Sequence, residues 1–176
     1  QYIEGNGLLS ENKQRFGFVP VIGLPNAGKS TLINTITGAK VSIVSPKVQT
    51  TRARVLGILV QGDTQIAFID TPGIFSPSPN KTLEKSIVST ALDTLLDNDL
   101  VIVLVDVTNF KNISEMTDIF ENIKTKTEHD VILVLNKIDK VKNEELLEIS
   151  EKLNELYNFR KTFMVSALKG DGIIDL

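Results

Sequence analysis

Gly23-Leu24-Pro25-Asn26-Ala27-Gly28-Lys29-Ser30 has the spacing G-x-x-x-x-G-K-S and stands between two stretches of opposite character. Before it, Phe16–Ile22 is apolar and reads as a strand. After it, Leu32, Ile33 and Ile36 recur at helical spacing, so Lys29–Thr37 reads as a helix closed by Gly38. Strand, Gly-rich loop and helix in that order are the context in which the spacing carries meaning. Its glycines let the backbone curl until successive N–H groups face one concavity, and the helix start adds partial positive charge, so the loop can cradle a di- or triphosphate. Lys29 would reach the β- and γ-phosphates, and the Ser30 hydroxyl would ligate Mg²⁺. The loop and first helical turn give Asn26, Ala27, Gly28, Lys29, Ser30 and Thr31 as the phosphate-binding set.

A chain of 176 residues is long enough for one domain with a sizeable core and short for two. The formal net charge of −3 argues against a broad basic face for nucleic acid. There is no cysteine, which excludes disulfides and thiolate metal sites. The longest apolar runs, Leu100–Val105 and Val131–Leu135, are far too short to span a bilayer. With no leader-like opening either, the expectation is a cytoplasmic protein without a transmembrane segment.

Working outward, residues 1–15 are polar and aperiodic and read as a flexible N-terminal extension. Ala39–Arg52 is a long loop of the kind that is usually functional. Ala53–Val60 and Gln65–Asp70 should pair as an antiparallel hairpin across Gly62-Asp63, the dipeptide of a II′-type turn. A Pro-containing loop then leads to a helix over Thr82–Leu96. Leu100–Val107 and Val131–Leu135 read as buried strands, Asn112–Lys126 and Glu144–Tyr157 as helices, and Thr162–Val165 as a last short strand. The lone His129 reads as a surface loop residue rather than a base.

Near-continuously apolar strands alternating with helices imply a mostly parallel sheet covered on both faces. Right-handed crossovers then bring the first loop, Asp70, Asn136 and Ser166 to one rim, at the carboxyl ends of four strands. Asp70 can hold Mg²⁺ through water, and the Gly73 N–H can meet a γ-phosphate where no side chain would fit. Asn136 and Asp139 read as a base-selecting pair. A carboxylate accepts hydrogen bonds from the N1–H and 2-amino group of guanine, whereas adenine would leave it unpaired. Lys137 would lay its alkyl stem along base and ribose, and in Ser166-Ala167-Leu168 the Ala167 N–H would meet the guanine O6.

Gly23–Ser30, Thr50-Thr51, Asp70–Gly73, Asn136–Asp139 and Ser166–Leu168 together resemble the five G-motifs of the translation-factor-related GTPases. Ser45–Arg52, followed by Asp70-Thr71-Pro72-Gly73-Ile74-Phe75, resembles the Era family of bacterial ribosome-assembly GTPases in particular, and Ala53 after the Thr-Thr-Arg favours that family over its relatives. The resemblance covers about residues 16–175. It implies a P-loop NTPase G domain with a mostly parallel six-stranded sheet and one antiparallel strand, over residues 16–176, with the final helix truncated. Ala39–Arg52 would be the first switch and Thr71–Lys81 the second, with one of two threonines, Thr51 more than Thr50, joining Ser30 and Asp70 on Mg²⁺. The implied function is a GTP-binding and GTP-hydrolysing switch acting in assembly of the small ribosomal subunit. The implied partners are 16S rRNA and the 30S subunit, through a KH domain that this sequence does not contain, and the family allows peripheral membrane association.

The catalytic set is then Lys29, Thr51, Gly73 and Asn26. Ile74 stands where a Ras-type GTPase has its water-orienting glutamine, so intrinsic hydrolysis should be slow. Asn26 offers a compensation, since GTPases with Asn there can resemble the potassium-activated group, in which K⁺ replaces an arginine finger. The alternative is a P-loop kinase or ATPase acting on a small substrate. The guanine-selective pair and the lack of an arginine-rich lid count against it.

Overall fold

The computed structural model describes residues 15–38, 55–70, 100–112 and 130–176, and the helical positions 116, 117, 120, 121, 123 and 124. Several expectations lie outside these residues: the extension over 1–14, the whole first-switch segment with Thr50 and Thr51, Gly73, Ile74 and the second switch, the helix over 82–96, and His129.

Six strands form one sheet: β1 (Arg15–Gly23), β2 (Val55–Gln61), β3 (Thr64–Asp70), β4 (Leu100–Asp106), β5 (Asp130–Asn136) and β6 (Lys161–Val165). Their order is β2-β3-β1-β4-β5-β6. Among the pairs of described strands, only β2–β3 is antiparallel. It turns at Gly62, whose φ of 59° suits the first central position of a II′ turn. The described helices are α1 (Lys29–Thr37) and α2 (Asn143–Leu156), with helical backbone also at 116, 117, 120, 121, 123 and 124.

Strand periodicity divides the core in two. Along β4 and β5, Val101, Val103, Val105, Val131, Leu133 and Leu135 face Met116, Phe120, Ile123 and the α2 residues Leu146, Ile149 and Leu153. Ile102, Leu104 and Val134 point the other way, into a cluster with Leu32 and Ile33 of α1. Both faces of the sheet are therefore covered by helix, as the apolar strands predict. A fully buried side chain such as Phe120 or Leu32 contributes about 1.5–3 kcal/mol.

Gly57 sets how closely β2 approaches α1. A Cβ there would lie 2.7 Å from Ile33 Cγ2 and 3.2 Å from Thr37 Cγ2, so only glycine fits. Element boundaries differ from expectation by a residue or two. β4 stops at Asp106, one residue before the expected end, and a 3-10 segment over Val107–Asn112 fills residues 108–111, for which no element was expected. Asp106 causes the stop, because its Oδ1 accepts the Thr108 N–H at 2.9 Å and hydroxyl at 2.6 Å, turning the chain.

Candidate functional site: a nucleotide rim

The parallel strands β1, β3, β4 and β5 end at Gly23, Asp70, Asp106 and Asn136, and Ser166 follows β6, so these residues share one edge of the sheet. Gly23–Ser30, Asp70, Asn136–Asp139 and Ser166–Leu168 are thereby gathered on one rim.

The loop after β1 is wound tightly. Asn26 and Gly28 take φ of 66° and 98°, and the Ala27 N–H donates to the Leu24 carbonyl at 3.1 Å. Helix α1 starts after Gly28 with no side-chain cap and no acidic residue in its first turn. Its first N–H groups are consequently available to an anion. Lys29 Nζ donates to the Gly23 carbonyl at 3.0 Å and lies 3.5 Å from Asp70 Oδ1. That oxygen is buried and accepts no hydrogen bond. A buried carboxylate oxygen next to one ammonium, without a donor, suits a hydrated cation. Ser30 in the first turn of α1 and Asp70 are thus the described residues that could hold Mg²⁺. No cluster of three His, Cys, Asp or Glu is found among the described residues.

Asn136 is 2% exposed and ties the rim together. Its Nδ2 donates to the Ala27 carbonyl at 2.9 Å, and its Oδ1 accepts the Ala167 N–H at 3.0 Å. One of the two Nδ2 protons remains for a base. The Ala167 N–H, expected to meet a guanine O6, donates to Asn136 Oδ1 in this structure. Gly28 has a further reason to be glycine, since a Cβ there would sit 2.5 Å from Asn136 Nδ2.

Asp139 lies on the same rim, next to Ser166 and Lys169. Ser166 Oγ donates to its Oδ1 at 2.9 Å, and Lys169 Nζ lies 3.4 Å from Oδ2. The Ser166 hydroxyl foremost, with the lysine, outweighs partial burial and holds the carboxyl below its ordinary value. Asp139 is therefore ionised at neutral pH. Lys137, at φ 67°, reaches back across the loop and donates to the Asn26 carbonyl at 3.0 Å and to Asp106 Oδ2 at 2.5 Å. Leu168 is 80% exposed beside this site.

Three residues of the rim escape a reading by motif. Thr35 Oγ1, on α1, lies 2.8 Å from the Ala167 carbonyl and 2.9 Å from that of Thr31. Gly172 takes φ 70°, and a Cβ there would be 2.3 Å from the Met164 carbonyl, so the turn after Ser166 closes only with glycine. Asp106 was legible in principle, because it ends a strand on the same edge.

The family model of 50S ribosome-binding GTPases matches residues 18–137. GTPase Era of Bradyrhizobium diazoefficiens is 49% identical over 162 residues, which is 92% of this chain and 51% of that protein. GTPase Era of Brucella suis is 44% identical over 172 residues, 97% of this chain and 53% of that protein. An Aquifex aeolicus Era variant crystallised with GDP and aluminium fluoride superposes with a TM-score of 0.67 at 37% identity, over 92% of this chain and 54% of that one. An Era bound to MgGDPNP and nucleotides 1506–1542 of 16S ribosomal RNA gives 0.68 at 36% identity, with the same coverage. The chain spans about half the length of these relatives. The match over residues 18–137, most of the described sheet and its first loop, places the chain in the family of 50S ribosome-binding GTPases.

Proposed function

We propose that this chain is the guanine-nucleotide-binding and GTP-hydrolysing part of an Era-type switch. The observation that carries the reading is the ionised Asp139 carboxylate, aimed by Ser166 and set on the same rim as the uncapped start of α1. An acceptor-only group there pairs with the N1–H and 2-amino group of guanine, whereas adenine in the same pose would present an acceptor at N1 and a bare C2–H. Lys29 and the N–H groups of residues 28–31 would bind the phosphates, with Gly73 adding an N–H at the γ-phosphate. Mg²⁺, when bound, neutralises phosphate charge; Ser30, Asp70 and Thr51 would hold it.

Ile74 cannot orient a water, so intrinsic turnover is slow. Asn26 is the residue through which K⁺ would assist, and equal turnover in K⁺ and Na⁺ would refute that role. The 16S rRNA fragment seen on an Era relative supports a place in small-subunit assembly and, with it, a cytoplasmic location. No described residue is assigned an RNA or membrane contact, and no helix among the described residues is long and apolar enough to cross a membrane.

Titration calorimetry with Mg²⁺ tests the core of the reading. GDP should bind at least about 100-fold more tightly than ADP, and Asp139→Asn should shift preference to xanthosine diphosphate. Equal binding of GDP and ADP would transfer the chain to the kinase or ATPase class.

A further inference from the structure

Asn26 and Lys137 are the two non-glycine residues with left-handed backbone among those described, at φ 66° and 67°. They are joined to each other by the Lys137 ammonium, which donates to the Asn26 carbonyl at 3.0 Å. Such conformations persist where the surroundings over-determine them. Here the remaining constraint is Asp106. Its Oδ2 lies 2.5 Å from Lys137 Nζ, while Oδ1 is fixed by the Thr108 N–H at 2.9 Å and hydroxyl at 2.6 Å.

We infer that Asp106 is a positioning residue for nucleotide binding, acting through Lys137 on the Asn26 peptide of the phosphate loop. The carboxylate is held rigidly on its own side by Thr108, so it presents a fixed counter-charge at the end of β4. Its side chain is 15% exposed. Burial opposes ionisation, but the hydrogen bonds from Lys137 and Thr108 outweigh it and keep the carboxyl below its ordinary value. A lysine on a flexible stem is thereby confined to one place, with its stem directed across the rim and its head on the loop. Asp106 and Asn136 are register partners on neighbouring strands, so base loop and phosphate loop are clamped from adjacent points. Release of the ammonium frees both left-handed residues together, and with them the direction of the loop N–H groups.

The nucleotide part of this inference rests on the proposed function, and the test separates the two. Asp106→Asn, Lys137→Met and the double variant are titrated with GDP and with ADP, with thermal unfolding recorded for each. Asp106→Asn should weaken GDP about 10-fold. In the Lys137→Met background the same change should add less than about two-fold, since its target is gone. An equal loss in both backgrounds, or none in either, overturns the positioning role. Should Asp106→Asn fail to fold, Thr108→Val, which keeps the charge and the backbone N–H bond but removes the hydroxyl donor to Oδ1, should cost about two- to five-fold, again only when Lys137 is present. If ADP binds as well as GDP, the guanine reading fails while the cycle is read unchanged on either nucleotide.

Discussion

The two sides of the rim, proposed above for base and for phosphate, are finished in opposite ways. Around Asn136, Asp139 and Ser166, side chains and backbone satisfy one another, with both ends of the Asn136 amide bonded and Asp139 held by Ser166 and Lys169. At the phosphate side, α1 begins without a side-chain cap and Asp70 Oδ1 is buried without a donor. The side proposed for the base is thus built into the fold, while the Gly23–Ser30 loop, proposed for the phosphates, keeps donors and an acceptor in reserve. A ligand on that side would fill a deficit at the α1 N–H groups and at Asp70, and the bond it would have to displace is the one from Lys29 to the Gly23 carbonyl.

Substitutions on the two sides should accordingly separate binding from folding. The largest effect on binding is expected from Lys29→Ala, with GDP and GTP affinity down about 100-fold by calorimetry, as loss of charge-assisted hydrogen bonds requires. The thermal midpoint should move by under about 4 °C. Asn136→Ala should invert this pattern. It leaves the Ala27 carbonyl and Ala167 N–H unpaired inside the rim, costing about 2–4 kcal/mol and lowering the midpoint by about 5–10 °C. If Asn136→Ala unfolded at the wild-type temperature, the division between the sides would be broken.

The smallest effect sharpens it. Ser166→Ala removes the hydroxyl that holds the Asp139 carboxylate, so the carboxyl should titrate closer to its ordinary value by carbon NMR. Because the folded protein holds this group low, its contribution is complete above about pH 4 and fades as pH falls through the lowered value. Urea midpoints of wild type and Ser166→Ala should therefore differ at neutral pH and converge in acid.

What was legible in the sequence and what was not follows from distance along the chain. The strands and both described α-helices were legible from periodicity, and the rim followed from the parallel topology, because each depends on neighbours a few residues apart. The Asn136 bridge was not, since its partners lie 109 and 31 residues away and only the assembled rim reveals that the amide is occupied. The same holds for Thr35, whose hydroxyl reaches Ala167 across 132 residues from a helix position that reads as surface. Asp106 was overlooked because Leu100–Val107 reads as one apolar run, and the acidic residue near its end looks like a strand terminus.

Phe120, Tyr157 and Phe159 cluster in tilted and edge-to-face contacts with centroids 5.1–5.6 Å apart, near the start of β6 and so at the opposite end of the sheet from the rim. The chain has no tryptophan and two tyrosines, so one of its two natural fluorophores is locked in the core at a place no nucleotide reaches. Tyrosine emission can therefore follow the opening of the core while a fluorescent nucleotide follows the rim, giving folding and occupancy separate optical channels without any label on the protein.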